Sequence, residues 1–155
     1  MGAKRSENES DRKLWLLLDE QLCFALYSAN LAMSKVYRKL LGKLGVTYPQ
    51  YLVLLILWEH DGLTVSDIGA RLFLDSATLT PLLKRMEVAG LLSRHRGADD
   101  ERQVIVTLTK KGRELKQIAL SVPADVLCAT GCTPNELAVV RRELKKLRAA
   151  LLKAG

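Results

Sequence analysis

The sequence predicts a mainly α-helical domain with one small β-hairpin, and three observations carry that prediction. Apolar residues recur at steps of three and four through most of the 155-residue chain. Threonine or aspartate caps stand ahead of the later periodic runs. The period falls to two only between Leu91 and Leu108. With 48% apolar and 26% charged residues the chain can build a real core, at a length that suits one domain. That domain is expected over residues 14–155, behind a polar, disordered tail over 1–13.

The first helix is expected from about 19 to 41. Asp19 precedes it, and Leu22, Leu26, Ala29, Met33, Val36 and Leu40 form its apolar seam until Gly42 and Gly45 stop it. Thr47-Tyr48-Pro49-Gln50 opens the second helix as a capping box, and its run from Tyr51 to Trp58 is apolar all round, as a core helix is. Asp61-Gly62 makes a turn. Thr64 to Asp67 caps a short helix that breaks at Leu74-Asp75, where another cap begins a helix to Val88. Pro81 leaves two readings of that helix open: it starts near Thr80, or its first turn is distorted.

A hairpin follows, with Val104, Val106 and Leu108 on one side and Gln103, Ile105 and Thr107 on the other, and its tip, Gly97 to Arg102, protrudes into solvent. Thr109 caps the next helix, which Pro123 ends or kinks. The segment around Ala129-Thr130-Gly131 then reads as a connection. Thr133-Pro134-Asn135-Glu136 starts a last helix, 134–153, with Leu137, Val140, Leu144, Leu147 and Leu151 in a stripe. Heptad-like stripes at both ends of the chain fold back on the core or pair with another copy, and a homodimer is the expected arrangement.

The longest apolar run has eight residues, far short of a membrane span, and no apolar stretch precedes a small-residue cleavage site near the amino terminus. The expectation is a cytoplasmic protein with no membrane partner. Net charge is +7, and residues 91–116 together with 134–155 hold the whole excess. A polyanion such as DNA is one reading of that distribution, and a solvated basic face is the other. Cys23, Cys128 and Cys132 are an odd set in a chain without a signal, which argues against a disulfide framework. Cys128 and Cys132 lack a second ligand pair at finger-like spacing, and His60 and His95 stand alone, so no metal and no cofactor is expected.

Helix, turn, helix and basic hairpin, over 47–116, is the winged helix-turn-helix order. In it the second helix of the pair enters the major groove of DNA. That helix opens with Ser76, Thr78 and Thr80, whose hydroxyls meet base edges and phosphates, and Lys84 and Arg85 lie further along. The alternative is a helix that only packs beneath the hairpin.

Several segments carry a resemblance to a known family. Asp19 to Ser28, Tyr37-Arg38, Thr47 to Tyr51, the run Leu74 to Arg85, and Asp100-Glu101-Arg102-Gln103 are similar to the organic hydroperoxide-sensing branch of the MarR family, from about residue 18 to 132. The resemblance implies a homodimeric repressor whose wing arginine, Arg102, enters the minor groove of operator DNA and is braced by Asp100. It also implies that Cys23 is the peroxide-sensing thiol, held by Tyr27, Tyr37 and Tyr48. Cys23 sits about one turn after Asp19, where the helix dipole favours a thiolate while Asp19 and Glu20 oppose one. By its residue type alone, in a mostly apolar helix, it is more often a packing residue, and only the family resemblance reverses that reading.

Geometry adds one constraint. Tyr27 shares a face with Cys23, whereas Tyr37 is fourteen residues on, about 21 Å along the helix, and could meet only another subunit's thiol. The family implies oxidation of Cys23 by an organic hydroperoxide inducer, an intersubunit disulfide with a late cysteine, and release of the operator. Cys128 best matches that late position and Cys132 is the second candidate. The rival readings are a MarR-type repressor released by a reversibly bound small ligand, with Cys23 structural, and a thiol peroxidase. The second lacks an arginine beside Cys23 and leaves the hairpin unexplained, so the chain reads as no enzyme.

Overall fold

The structure is a computed structural model that describes residues 14–155; the tail expected over 1–13 lies outside the described residues. Helix α1 spans Leu22–Leu41. It starts three residues later than Asp19 suggests, because Leu18–Glu20 form a separate 3-10 turn and Gln21 is extended (φ −84°, ψ 118°). The Gln21 side chain donates back to the carbonyls of Trp15 and Leu17. Asp19 is therefore no cap. A second 3-10 turn, Gly42–Leu44, ends on Gly45 in the left-handed region (φ 67°).

Helix α2, Tyr48–Glu59, opens where the Thr47 amide donates to Gln50 Oε1 at 2.9 Å. It buries Tyr51, Val53, Leu54, Ile56 and Leu57, and the core forms around it. Strand β1 is only Leu63–Thr64. Thr64 also caps α3, Val65–Leu72, its hydroxyl accepting from the Asp67 amide at 3.0 Å. The chain reverses at Phe73 (φ 57°), and Asp75 caps α4, Ser76–Val88. The reversal is tight at Gly69, where an added Cβ would sit 2.8 Å from the Leu74 carbonyl oxygen.

Pro81 lies inside α4, so the helix does not wait for Thr80. The proline deprives the Ala77 carbonyl of its usual donor. Ala77 is exposed, so water can serve it instead, and Leu79, Leu82, Leu83 and Met86 hold the other face in the core.

Strands β2, Leu92–Arg96, and β3, Val104–Leu108, form the antiparallel hairpin. The hairpin is one part of a three-stranded sheet ordered β1-β3-β2, in which Leu63 faces Val106 and Thr64 faces Ile105. A two-residue strand leaves no alternation for sequence reasoning to find. Helix α5, Lys110–Ala119, follows the Thr109 cap. Gly112 there lies so close to the Leu91 carbonyl oxygen that a Cβ would be 2.1 Å away, and its own carbonyl accepts from Trp58 Nε1 at 2.9 Å.

Pro123 ends α5 by opening a new helix, α6, Val122–Thr130, which packs along α1 and is tied to the 3-10 turn after it by a Lys43–Asp125 ion pair at 3.2 Å. Much of the expected connection is thus helical. Gly131 (φ 66°) closes α6, and the Thr133–Glu136 capping box starts α7, Pro134–Ala154. Helix α7 has no buried residue, although Val139, Val140, Leu144 and Leu151 are apolar. Its Arg148 guanidinium lies 4.3 Å over the Phe73 ring. No single helix among the described residues is long and apolar enough to cross a membrane.

Candidate functional site

Two groups of residues carry the candidate functional side chains. The first gathers around the amino end of α4. Asp75 Oδ1 accepts from the Thr78 amide at 2.7 Å, and this bond holds the Asp75 carboxyl below the usual carboxylate range. Ser76, Thr78, Thr80, Lys84 and Arg85 are all exposed on the helix. A cleft of about 590 Å³ separates α4 from the sheet. Ser76, Thr80 and Arg102 line it together; Thr78, Lys84 and Arg85 do not. Ser66, Arg94 and Gln103 also line it and were not singled out in the sequence, where they look like ordinary polar positions.

The wing tip is held by its backbone. Asp100 Oδ1 accepts from the Arg102 amide at 3.0 Å, the Gln103 amide donates to the Asp100 carbonyl at 3.0 Å, and the Gly97 amide donates to Gln103. The brace on Arg102 is therefore an Asx-type bond to its amide. At the base of the hairpin, Glu87 on α4 accepts from the Arg94 amide and guanidinium, a clasp between the helix and β2. Those bonds hold the Glu87 carboxyl below its usual range.

The second group lies along α1. Cys23 is the second residue of the helix and exposed. Tyr27 shares its face one turn on and is 61% exposed. At the far end Tyr37 meets Tyr48 with ring centroids 4.4 Å apart, and the buried Tyr51 lies 6.1 Å from Tyr37. Burial, then the neighbouring Tyr48 and Tyr51, pushes the Tyr37 phenol up to about 12, so it stays a neutral proton donor across the physiological range. Burial raises Tyr48 and Tyr51 as well. Tyr51 was read only as core, and the tyrosine cluster it completes spans two helices.

Cys128 is exposed on α6, and Cys132 follows Gly131 with its Sγ 3.5 Å from the Thr130 carbonyl oxygen. Among the described residues no group of three or more His, Cys, Asp or Glu could hold a metal ion.

A helix pair, a three-stranded wing and exposed polar groups on the second helix define a winged helix-turn-helix transcriptional regulator. Residues 35–118 match the family described as "Transcriptional regulator SarA/Rot". The chain is 47% identical over 145 residues to the organic hydroperoxide resistance transcriptional regulator of Bacillus subtilis (strain 168), covering 94% of this chain and 92% of that protein. It is also similar to AbfR, known from Staphylococcus epidermidis. Reduced AbfR bound to DNA is 38% identical, with 91% and 99% of the two chains covered and a TM-score of 0.72. The disulfide-formed structure is 37% identical, with 90% and 98% covered and a TM-score of 0.60. The chain belongs to the MarR family of winged-helix transcriptional regulators, in the branch of the organic hydroperoxide regulators.

Proposed function

We propose that this chain is a homodimeric repressor that binds operator DNA and is released when an organic hydroperoxide oxidises Cys23. The observation that carries the reading is the division of α1, which has an exposed thiol and Tyr27 at one end and, at the other, Tyr37 packed on Tyr48 of α2. Fourteen residues separate Cys23 from Tyr37, about 21 Å of helix, so the two ends complete each other only between antiparallel copies. In that arrangement neutral phenols donate hydrogen bonds to the thiolate or to the peroxide.

The chemistry balances in two steps. The Cys23 thiolate takes the distal peroxide oxygen, an S–O bond forms as the O–O bond breaks, and the alkoxide leaving group takes a proton to become an alcohol. A second thiol then attacks the sulfenic sulfur, giving a disulfide and water. Cys128, exposed on the helix packed along α1, is the candidate resolving thiol, and Cys132 is the alternative. The exposed face of α4 and the wing supply the DNA contacts: Ser76, Thr78 and Thr80 at the helix start, Lys84 and Arg85 beyond, and Arg102 in the adjacent minor groove with its amide held by Asp100.

The decisive test is Cys23→Ser in a gel shift on the chain's own upstream DNA. The variant is expected to bind as wild type and to stay bound after treatment with cumene hydroperoxide, while wild type is released and rebinds after dithiothreitol. A serine variant that still lets go removes Cys23 as the sensor and favours a reversibly bound ligand.

A further inference from the structure

The peroxide-sensing reading leaves one cleft unused, beside Tyr48. We infer that Arg38 is a specificity-determining residue that selects organic hydroperoxides carrying a carboxylate; the inference rests on the sensing role given to Cys23. Asn30, Ser34 and Arg38 stand at successive four-residue steps on α1 and line a cleft of about 730 Å³ with Val46, Tyr48 and Pro49. Arg38 is exposed and takes part in none of the ion pairs among the described residues. Within one chain no carboxylate lines the cleft. The amino end of α2, a twelve-residue helix, opens onto it through Thr47, Tyr48 and Pro49 and adds the positive end of its dipole. A cavity whose wall is mostly carbon, with the polar groups of Asn30, Ser34 and Thr47 and one guanidinium, suits an amphiphilic anion.

The position of the cleft relates that anion to the thiol. Cys23, Tyr27, Asn30, Ser34 and Arg38 follow one another at steps of four, three, four and four, and so share one face of α1. Arg38 is fifteen residues from Cys23, about 22 Å along the helix, beyond reach within one chain. Where two α1 helices cross antiparallel near Asn30, Cys23 of the partner subunit arrives level with Tyr37 and Arg38. A hydroperoxide can then lie with its O–O bond between that thiol and the Tyr37–Tyr48 pair while its carboxylate rests on Arg38. The thiolate takes the distal oxygen, the proximal oxygen leaves protonated, and the product is the hydroxy acid. Hydrogen peroxide has no group for Arg38 to hold, so the same anchor separates the two oxidants.

The test compares 6-hydroperoxyhexanoic acid with its methyl ester, and with tert-butyl hydroperoxide as an uncharged reference. The readout is the second-order rate of Cys23 thiol loss in the full-length reduced protein. One partly solvated charge-assisted contact is expected to favour the acid by about five- to tenfold in wild type. In Arg38→Gln the acid-to-ester ratio falls to about one, and in Arg38→Lys part of the preference remains. DNA affinity and sedimentation of each variant report fold and assembly. A wild-type ratio near one, or equal ratios in wild type and Arg38→Gln, overturns the inference while leaving the sensor intact. Loss of the dimer in Arg38→Gln with an unchanged ratio makes Arg38 an interface residue and also overturns it. If none of the three compounds oxidises wild-type Cys23, the sensing reading falls and takes the inference with it.

Discussion

Glu87→Gln tests whether charge holds the wing to the helix beneath it. The Glu87 carboxylate accepts from the Arg94 amide at 2.9 Å, from Nε at 3.1 Å and from Nη2 at 2.8 Å, so one side chain ties the last turn of α4 to β2. The Arg94 and Glu87 side chains keep 22% and 34% of their surface. A hydrogen bond to a charged group contributes about 1.5–3 kcal/mol when well shielded, and this much solvent contact discounts it. Glutamine keeps the shape, loses the charge and turns a donor toward the guanidinium, so the expected loss is about 1–2 kcal/mol per chain. Urea unfolding at pH 7 measures it as a lower midpoint at unchanged slope. The hydrogen bonds from Arg94 lower the folded-state pKa of Glu87, so its contribution is complete above the unfolded value of about 4.3 and is lost as pH falls through the folded one. The gap between wild type and variant should therefore narrow as the pH is taken below about 4. Equal midpoints at pH 7, or a gap that persists unchanged in acid, refutes the clasp as an electrostatic device.

Three further outcomes are expected. Arg102→Ala should weaken operator binding by about 1–3 kcal/mol per half-site, and titrations between about 50 and 200 mM salt should show the steep dependence of several phosphate contacts. Unchanged affinity removes Arg102 from the interface. Leu144→Asp with Leu147→Asp places charge in the proposed α7 seam at a cost of several kcal/mol and should give monomers or aggregates in sedimentation, whereas an intact dimer excludes that seam. Oxidised wild type should run as a reducible covalent dimer on a non-reducing gel, lost in Cys128→Ser and kept in Cys132→Ser; the reverse pattern moves the resolving role to Cys132.

Much of the fold was legible because local signals and tertiary demands agree. Thr47 with Gln50, Thr64 with Asp67, and Thr133 with Glu136 form the reciprocal caps that their spacing announces. Asp19 misled because an aspartate ahead of an apolar run has the pattern of a cap whether or not the backbone is extended there; at this helix the extended residue is Gln21. β1 escaped notice because two residues carry no alternation, and its pairing partner lies some forty residues on. α6 was hidden by the small residues at its end, Ala129-Thr130-Gly131, which suit a helix terminus as well as a loop. In the candidate site, residues on one helix face could be placed by counting. Contacts between distant segments could not: the Tyr37–Tyr51 approach, the Glu87–Arg94 clasp and Arg148 over Phe73 depend on how helices and strands cross.

The placement of the apolar surface puts the proposed sensing and the proposed assembly in one region. Leu14 to Leu18, Leu22, Tyr27 and Leu31 are exposed at the start of the chain, and Val139, Val140, Leu144, Leu151 and Leu152 are exposed at its end. The core around α2 is complete without them. Such a large apolar surface is costly to leave in water, and a second copy that covered both ends at once would remove that cost. Cys23 lies within the first stretch and Tyr37 at the opposite end of its helix, so an antiparallel association that sheltered the leucines would also bring a thiol to the phenols. The proposed oxidation would then act where the subunits meet. On the reading proposed above, a disulfide across that seam would constrain the angle between two chains, and therefore the spacing of two wings, without altering the core that shapes either one.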